Sequence, residues 1–329
     1  MSDAPLDVLV VGPSYCDLTF VGLPALPTAG RERFADALHA TAGGSAITAL
    51  ALARLGRRVA LLDDVGRDLH GQVIVDALER DGVATDLLRR DARPTAVTVV
   101  LPSDGDRAFV THLPPDAADG PPDLAAALEA TTPRWLHVAG TAPARAYPDL
   151  LALARGVGAR VAFDPGWHDD DLDAPEVRAL VEGCDALLPN RSEAARLAGH
   201  PDDGDQDQND DGDADANDDG GDVARAALRQ LAARRPGGVT VVKDGAAGAW
   251  GVAPGRADVA HAAVPPVPVV DATGAGDVFD AAFLDAWIDG VPLDDALYAG
   301  AAAGAAAVGR IGGATGAPTV RATRERSEP

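Results

Sequence analysis

Short runs of apolar residues alternate along this chain with longer stretches in which apolar positions return every three or four residues. Residues 6–11, 59–62, 135–139, 161–163, 186–188 and 239–242 are such runs. Each is too short for a helix and nearly free of polar residues, which predicts strands buried on both faces of a parallel sheet. The periodic stretches between them predict helices. One is opened by Gly43-Gly44 and closed by Gly56, and others cover 68–80, a segment reaching Arg155, 223–235, 277–289 and an Ala/Gly-rich segment over 299–309. Such alternation builds an α/β fold. Two β-rich runs, 95–101 and 108–113, interrupt it, and turn residues at 102–107 join them as a hairpin set apart from the main sheet. No helical period is sustained between Thr19 and Ala42.

Candidate chemistry is densest in Val269-Val270-Asp271-Ala272-Thr273-Gly274-Ala275-Gly276-Asp277-Val278-Phe279. The two valines read as the end of a strand, the small residues as a turn, and Val278, Phe279, Ala282, Phe283 and Ala286 as the apolar face of a helix. The backbone N–H groups that open a helix lack intrahelical acceptors and sit at the positive end of its dipole, so this corner suits an anion. Asp277 places a carboxylate where a resting phosphate would be repelled, which makes sense if it takes a proton from a nucleophile attacking one. A dinucleotide fingerprint needs a glycine where Phe279 stands. A P-loop needs Gly-Lys-Ser/Thr, whereas the chain's only lysine, Lys243, is followed by Asp244.

These residues resemble the C-terminal signature of the ribokinase-like, or PfkB, sugar kinases, Asp-Thr-x-Gly-Ala-Gly-Asp, which stands here nearly complete as Asp271-Ala272-Thr273-Gly274-Ala275-Gly276-Asp277. Other segments follow in the family's order. Gly43-Gly44 and the helix ending Leu55-Gly56 look like its N-terminal signature, with Thr48 where the family usually has Asn. Asn190-x-x-Glu193 after a strand matches its magnesium and phosphate element, and reads equally as a helix cap with a capping-box Glu. Lys243 to Gly248 is similar to the strand end that lines the nucleotide. Asp164-Pro165 corresponds to a pair on the substrate side, or holds a turn.

The resemblance implies a fold and a set of roles. A central, mostly parallel sheet would carry helices on both faces and a small β lid drawn from about residues 14–42 and 94–114, all in one domain spanning 1–329. The lid would exclude water. Asp277 would be the general base, with Gly274, Ala275 and Gly276 completing the anion hole. Asp17, Gly43, Gly44 and Thr48 would hold the sugar. Asn190, Lys243, Gly245, Gly248, Asp271 and Thr273 would line ATP. Asn190 and Glu193 would arrange Mg2+ through water, and K+ is admitted as an activating ion. The expected reaction is transfer of the ATP γ-phosphoryl group to a hydroxyl of a sugar. A nucleoside kinase of the same family, or a non-catalytic regulator, stays open. A homodimer through the lid is compatible with the family.

Net charge changes the picture of partners. At −23 over 329 residues, the chain argues against nucleic acid or an anionic membrane as partner. Its Asp-rich, Arg-for-Lys composition resembles that of haloarchaeal proteins, in which molar salt screens the repulsion. Cys16 and Cys184 have no paired spacing, so neither a zinc site nor a disulfide is suggested. The start of the chain has no signal-like segment and no apolar stretch approaches a membrane span, which predicts a cytoplasmic protein. Residues 201–222 form an acidic insertion with no apolar side chain larger than alanine, read as disordered. Spacing from Asp207 to Asp218 loosely imitates a calcium loop, but the bidentate Glu is missing. Residues 321–329 read as a polar tail.

Overall fold

A computed structural model of the chain describes residues 5–103, 106–166, 171–199 and 219–319. The acidic insertion as far as 218, the calcium-loop spacing inside it and the polar tail lie outside the described residues.

The described residues form a nine-stranded sheet and a four-stranded one. In the first half of the chain stand β1 (Val8–Val11), β2 (Ser14–Val21), β3 (Ala37–Gly44), α1 (Ser45–Arg54), β4 (Val59–Gly66), α2 (Leu69–Arg80) and β5 (Leu88–Asp91). Then follow β6 (Val97–Ser103), β7 (Asp106–His112), α3 (Leu124–Thr131), β8 (Trp135–Ala139), α4 (Ala142–Ala146), α5 (Leu150–Gly156) and β9 (Arg160–Asp164). The rest comprises α6 (Pro175–Gly183), β10 (Ala186–Leu187), α7 (Arg191–Ala198), α8 (Asp219–Arg234), β11 (Val239–Lys243), β12 (Ala249–Val252), β13 (Ala260–Ala262), α9 (Ala275–Ile288) and α10 (Leu293–Ala307). Helix α8 thus reaches back into the last four residues of the acidic stretch, 219–222.

The large sheet has the order β13-β12-β11-β10-β9-β8-β1-β4-β5. Its strands are parallel from β5 to β11, while β12 and β13 add an antiparallel edge. The all-apolar runs are the inner strands because each face is covered: residues of α1, α2, α9 and α10 form one core with alternate strand residues, and those of α3, α5, α6, α7 and α8 form the other. Strand order reverses between β1 and β8, and at such a switch point the carboxyl ends of the strands leave a crevice.

The small sheet, β3-β2-β6-β7, stands at that end. Its two entry points are locked together: Ser45 N donates to Pro13 O at 3.0 Å, and Ser45 Oγ donates to Gly12 O at 2.8 Å. The turn that leaves β1 and the turn that enters α1 therefore move as one body.

One expectation is corrected. Val269 and Val270 do not end a strand; they lie in an extended exposed segment, 58% and 57% accessible. Pro265, Pro266 and Pro268 remove the N–H groups a ladder would need. Instead, the N–H groups of Val270 and Asp271 both donate to Val308 O, at 2.7 and 3.0 Å, and anchor the segment beside the end of α10.

Candidate functional site

Helix α9 starts where the extended segment turns into the protein. Its N-cap, Gly274, is left-handed at φ 73°, and a Cβ there would meet Ile47 Cδ1 at 2.7 Å and Gly313 Cα at 2.9 Å. Only glycine satisfies both the torsion and the space. No side chain caps this helix. Ala275 N–H reaches back to Ala272 O at 3.2 Å and Asp277 N–H is directed to its own carboxylate, which leaves Gly276 as the least committed donor of the expected anion hole. Asp271 fixes the turn from below: its Oδ1 accepts from Thr273 N at 2.9 Å and its Oδ2 from Gly312 N at 2.8 Å. In the structure, then, Asp271 and Thr273 build the loop that presents the helix end.

Asp277 occupies the first turn of α9. Burial, with the charge of Asp164 behind it, pushes its carboxyl up to about 7, against the opposing effects of Lys243 and Thr48. Thr48, expected to touch the acceptor, is fully buried in α1, and its hydroxyl donates to Asp277 Oδ1 at 3.2 Å. Thr48 thus meets Asp277 rather than open space.

Across from the helix end stands β2. Asp17 is 6% exposed, and burial together with the charges of Asp277 and Asp271 raises it to about 7. A Cβ on Gly43 would overlap the Asp17 carboxylate, so the first glycine of the pair makes room for that side chain. The second, Gly44, lies under an aromatic ring: a Cβ there would be 2.6 and 2.7 Å from Tyr15 Cδ2 and Cε2. Tyr15 was missed in the sequence, because nothing in a Ser-Tyr-Cys run marks it as facing a site. Only the alternation along β2, which puts Tyr15 and Asp17 on one face, finds it.

Lys243 has partners other than those expected. Its Nζ donates to Asp164 Oδ2 at 3.0 Å and to Asp280 Oδ2 and Oδ1 at 3.1 and 3.2 Å. The ends of β9 and β11 are thereby tied to the first turns of α9. Burial pushes Asp280 well above the carboxylate range, with Asp164's charge adding to it. Burial acts upward on Asp164 too, but Lys243's charge and hydrogen bonds from Asp280 and Lys243 hold it below. The consistent assignment is one proton on Asp280, bonded to an ionised Asp164. Asp164 Oδ1 also accepts from Gly166 N at 3.2 Å, so the turn-holding reading applies as well. His137 lies beneath, fully buried, held neutral by burial at about 4, with no hydrogen-bond partner for either ring nitrogen among the described residues.

Asn190 and Glu193 form a complete capping box. Asn190 Oδ1 accepts from Glu193 N at 2.9 Å, Glu193 Oε2 accepts from Asn190 N at 2.9 Å, and Glu193 Oε1 accepts from Asn190 Nδ2 at 2.7 Å. Each carboxylate oxygen keeps acceptor capacity, so the pair fits a hydrated divalent ion. Among the described residues, no group of three or more His, Cys, Asp or Glu could hold a metal without such help. Gly245 and Gly248 bracket a short turn after β11, Gly245 with open space around it and Gly248 packed against Ala262. Asp244 between strand and turn is paired with Arg191 at 3.2 Å and Trp250 Nε1 at 3.0 Å.

A cavity of about 610 Å³ opens at the ends of β1 and β4, walled by Asp63, Asp64, Arg93, Pro143 and Tyr147. Gly12 and Pro13, which bond to Ser45, also line it, and Asp63 in its wall accepts from Ser14 N at 2.7 Å at the start of β2. No described helix is long and apolar enough to cross a membrane. Cys16 and Cys184 are both buried and unbridged.

Residues 25–320 match the model of the family described as pfkB family carbohydrate kinase. A ribokinase of Arabidopsis thaliana is 28% identical over 310 residues, 90% of this chain and 74% of the relative. A fructokinase of Klebsiella pneumoniae is 30% identical over 267 residues, 75% of this chain and 76% of the relative. Among solved structures, a ribokinase from Cryptococcus neoformans var. grubii in complex with ADP superimposes with a TM-score of 0.74 at 26% identity, covering 98% of this chain and 99% of that one.

Proposed function

This chain belongs to the pfkB family of carbohydrate kinases, and we propose that in it Asp277 accepts the proton of an acceptor hydroxyl as that oxygen attacks the γ-phosphoryl group of ATP. The observation that carries the assignment is the Thr48–Asp277 contact at the open end of α9, with the half-buried Asp277 carboxyl raised to about 7 and close enough to Asp17 to raise it too. Asp17 accepts hydrogen bonds from other hydroxyls of the sugar and so orients the attacking one. The N–H group of Gly276, backed by the dipole of α9, opposes the charge that builds on the transferring group. Lys243 keeps the ends of β9 and β11 against that helix through Asp164 and Asp280. The small sheet closes over the acceptor as a lid and keeps water from competing.

Asn190 and Glu193 would hold Mg2+ through water. The ion would supply charge neutralisation on the phosphates. The exposed Leu38, Phe109, Val110 and Leu113 of the lid region support a homodimer through this sheet, which sedimentation velocity tests directly.

The experiment is ADP release from ATP and Mg2+ in molar potassium chloride across sugars, sugar acids, sugar phosphates and nucleosides, with Asp277→Asn alongside. One acceptor class should stimulate release, and the variant should lose at least about a hundredfold. Stimulation by nucleosides alone replaces the sugar reading with a nucleoside kinase. Binding of an acceptor without turnover replaces it with a regulator.

A further inference from the structure

The geometry points to an acceptor without negative charge, a neutral polyol and neither a sugar phosphate nor a sugar acid, with the phenol of Tyr15 as a specificity-determining group. This rests on the placement of the acceptor between Asp17 and Asp277 proposed above.

The charges around that space are one-sided. Asp17 feels Asp277 and Asp271, and Tyr15 feels Asp63, Asp17 and Asp277. The side-chain charges that shift Asp17 and Tyr15 are all negative. Lys243, a positive group acting on Asp277, is held by Asp164 and Asp280. Nearby arginines are likewise engaged: Arg54 with Asp81 and Ala314 O, Arg93 with Asp64 and Asp91, and Arg191 with Asp244. Arg31 and Arg33 stand exposed in the connection from β2 to β3. An acidic substituent on the acceptor would thus meet carboxylates beside cations that are already paired. Two like unit charges about 6 Å apart, at an effective dielectric constant of about 20, are worth about a hundredfold in affinity.

What the space offers in place of cations is hydroxyl groups. Register pairs Asp17 with Thr41 and Thr98, Thr98 with Thr111, and Thr19 with His39, so Asp17, Thr19, Thr41, Thr98 and Thr111 share one face of the small sheet. The Thr19 and Thr41 hydroxyls are buried with no hydrogen-bond partner. Tyr15, two residues before Asp17, lays its ring over Gly44, and its phenol makes no hydrogen bond among the described residues. Burial and the three carboxylates keep that phenol protonated, so it presents an O–H donor. Carboxylates that accept from hydroxyls, beside hydroxyls that donate to ring and hydroxyl oxygens, complement a neutral polyol.

The test is calorimetric binding of matched pairs to the full chain without nucleotide: fructose with its phosphates, ribose with ribose 5-phosphate, and glucose with gluconate. At least one neutral member should bind ten times more tightly than its charged partner. Tyr15→Phe, which keeps the ring, should weaken that neutral ligand about tenfold while ADP affinity holds. A phosphate or acid that binds as well as its neutral partner, or a panel in which nothing binds, overturns the inference. Unchanged affinity in Tyr15→Phe removes the role given to the phenol. If a neutral sugar binds selectively but releases no ADP, the kinase assignment of Asp277 fails while the neutral pocket stands.

Discussion

Thr48 Oγ1 lies 3.2 Å from Asp277 Oδ1, so the first helix of the chain donates a hydrogen bond to a carboxylate 229 residues later. That bond favours the charged form of Asp277, while burial favours the neutral one, and the balance sits at about 7. A base must be unprotonated to work. Activity should therefore be low where Asp277 holds its proton, rise through pH 7 and level above it. Thr48→Val removes the bond at nearly constant volume, so the inflection in kcat/KM should move to higher pH. An unmoved inflection would show that the Thr48 hydroxyl does not tune the base.

A proton on Asp280 beside an ionised Asp164 makes substitutions of Asp280 and Lys243 unequal. Asp280→Asn replaces a neutral group with a neutral one and should cost less than about 1 kcal/mol in denaturant unfolding at neutral pH. Lys243→Met leaves an ionised Asp164 in the interior without its cation and should cost about 3–5 kcal/mol. Equal losses would contradict the placement of the proton on Asp280.

Gly43→Ala tests the space beside Asp17. Its backbone is not left-handed, so alanine is tolerated by torsion, but the new methyl group overlaps the Asp17 carboxylate. Displacement of that group should raise the acceptor KM at least about tenfold with a smaller change in kcat, because a misplaced orienting group weakens ground state and transition state together. A thermal midpoint within a few degrees of the parent would confirm that the fold survives, and an unchanged KM would remove Asp17 from the acceptor site.

Asn190 carries a structural and a proposed metal role, and two variants separate them. Asn190→Ala loses the cap of α7 and should cost about 1 kcal/mol. Asn190→Ser restores a side-chain acceptor for Glu193 N–H but not the amide, so stability should return while the Mg2+ concentration for half-maximal rate stays raised. Recovery of both by serine would leave Asn190 as a cap alone.

The strands and helices around the site were legible one by one, because burial on both faces of a parallel strand writes itself as an unbroken apolar run. Gly274-Ala275-Gly276-Asp277 and Gly43-Gly44 stood out as glycines at predicted helix starts and by family resemblance, but what denies them a Cβ comes from distant residues: Ile47 and Gly313 at Gly274, Asp17 at Gly43 and Tyr15 at Gly44. Val269 and Val270 misled because β-branched residues suggest a strand, whereas three nearby prolines deny it the donors a strand shares with its neighbour.

The alternation of strands and helices is written in the sequence because each element depends on the pattern within a few residues of chain, and the acidic composition is read from it directly. Contacts between distant segments hold Lys243 against Asp164 and Asp280, bring Thr48 to Asp277 and stand Tyr15 over Gly44. Those partners come from β9, β11, α1, α9 and the small sheet. Their charges and hydrogen bonds depend on distances across the crevice, which packing sets and which spacing along the chain does not encode.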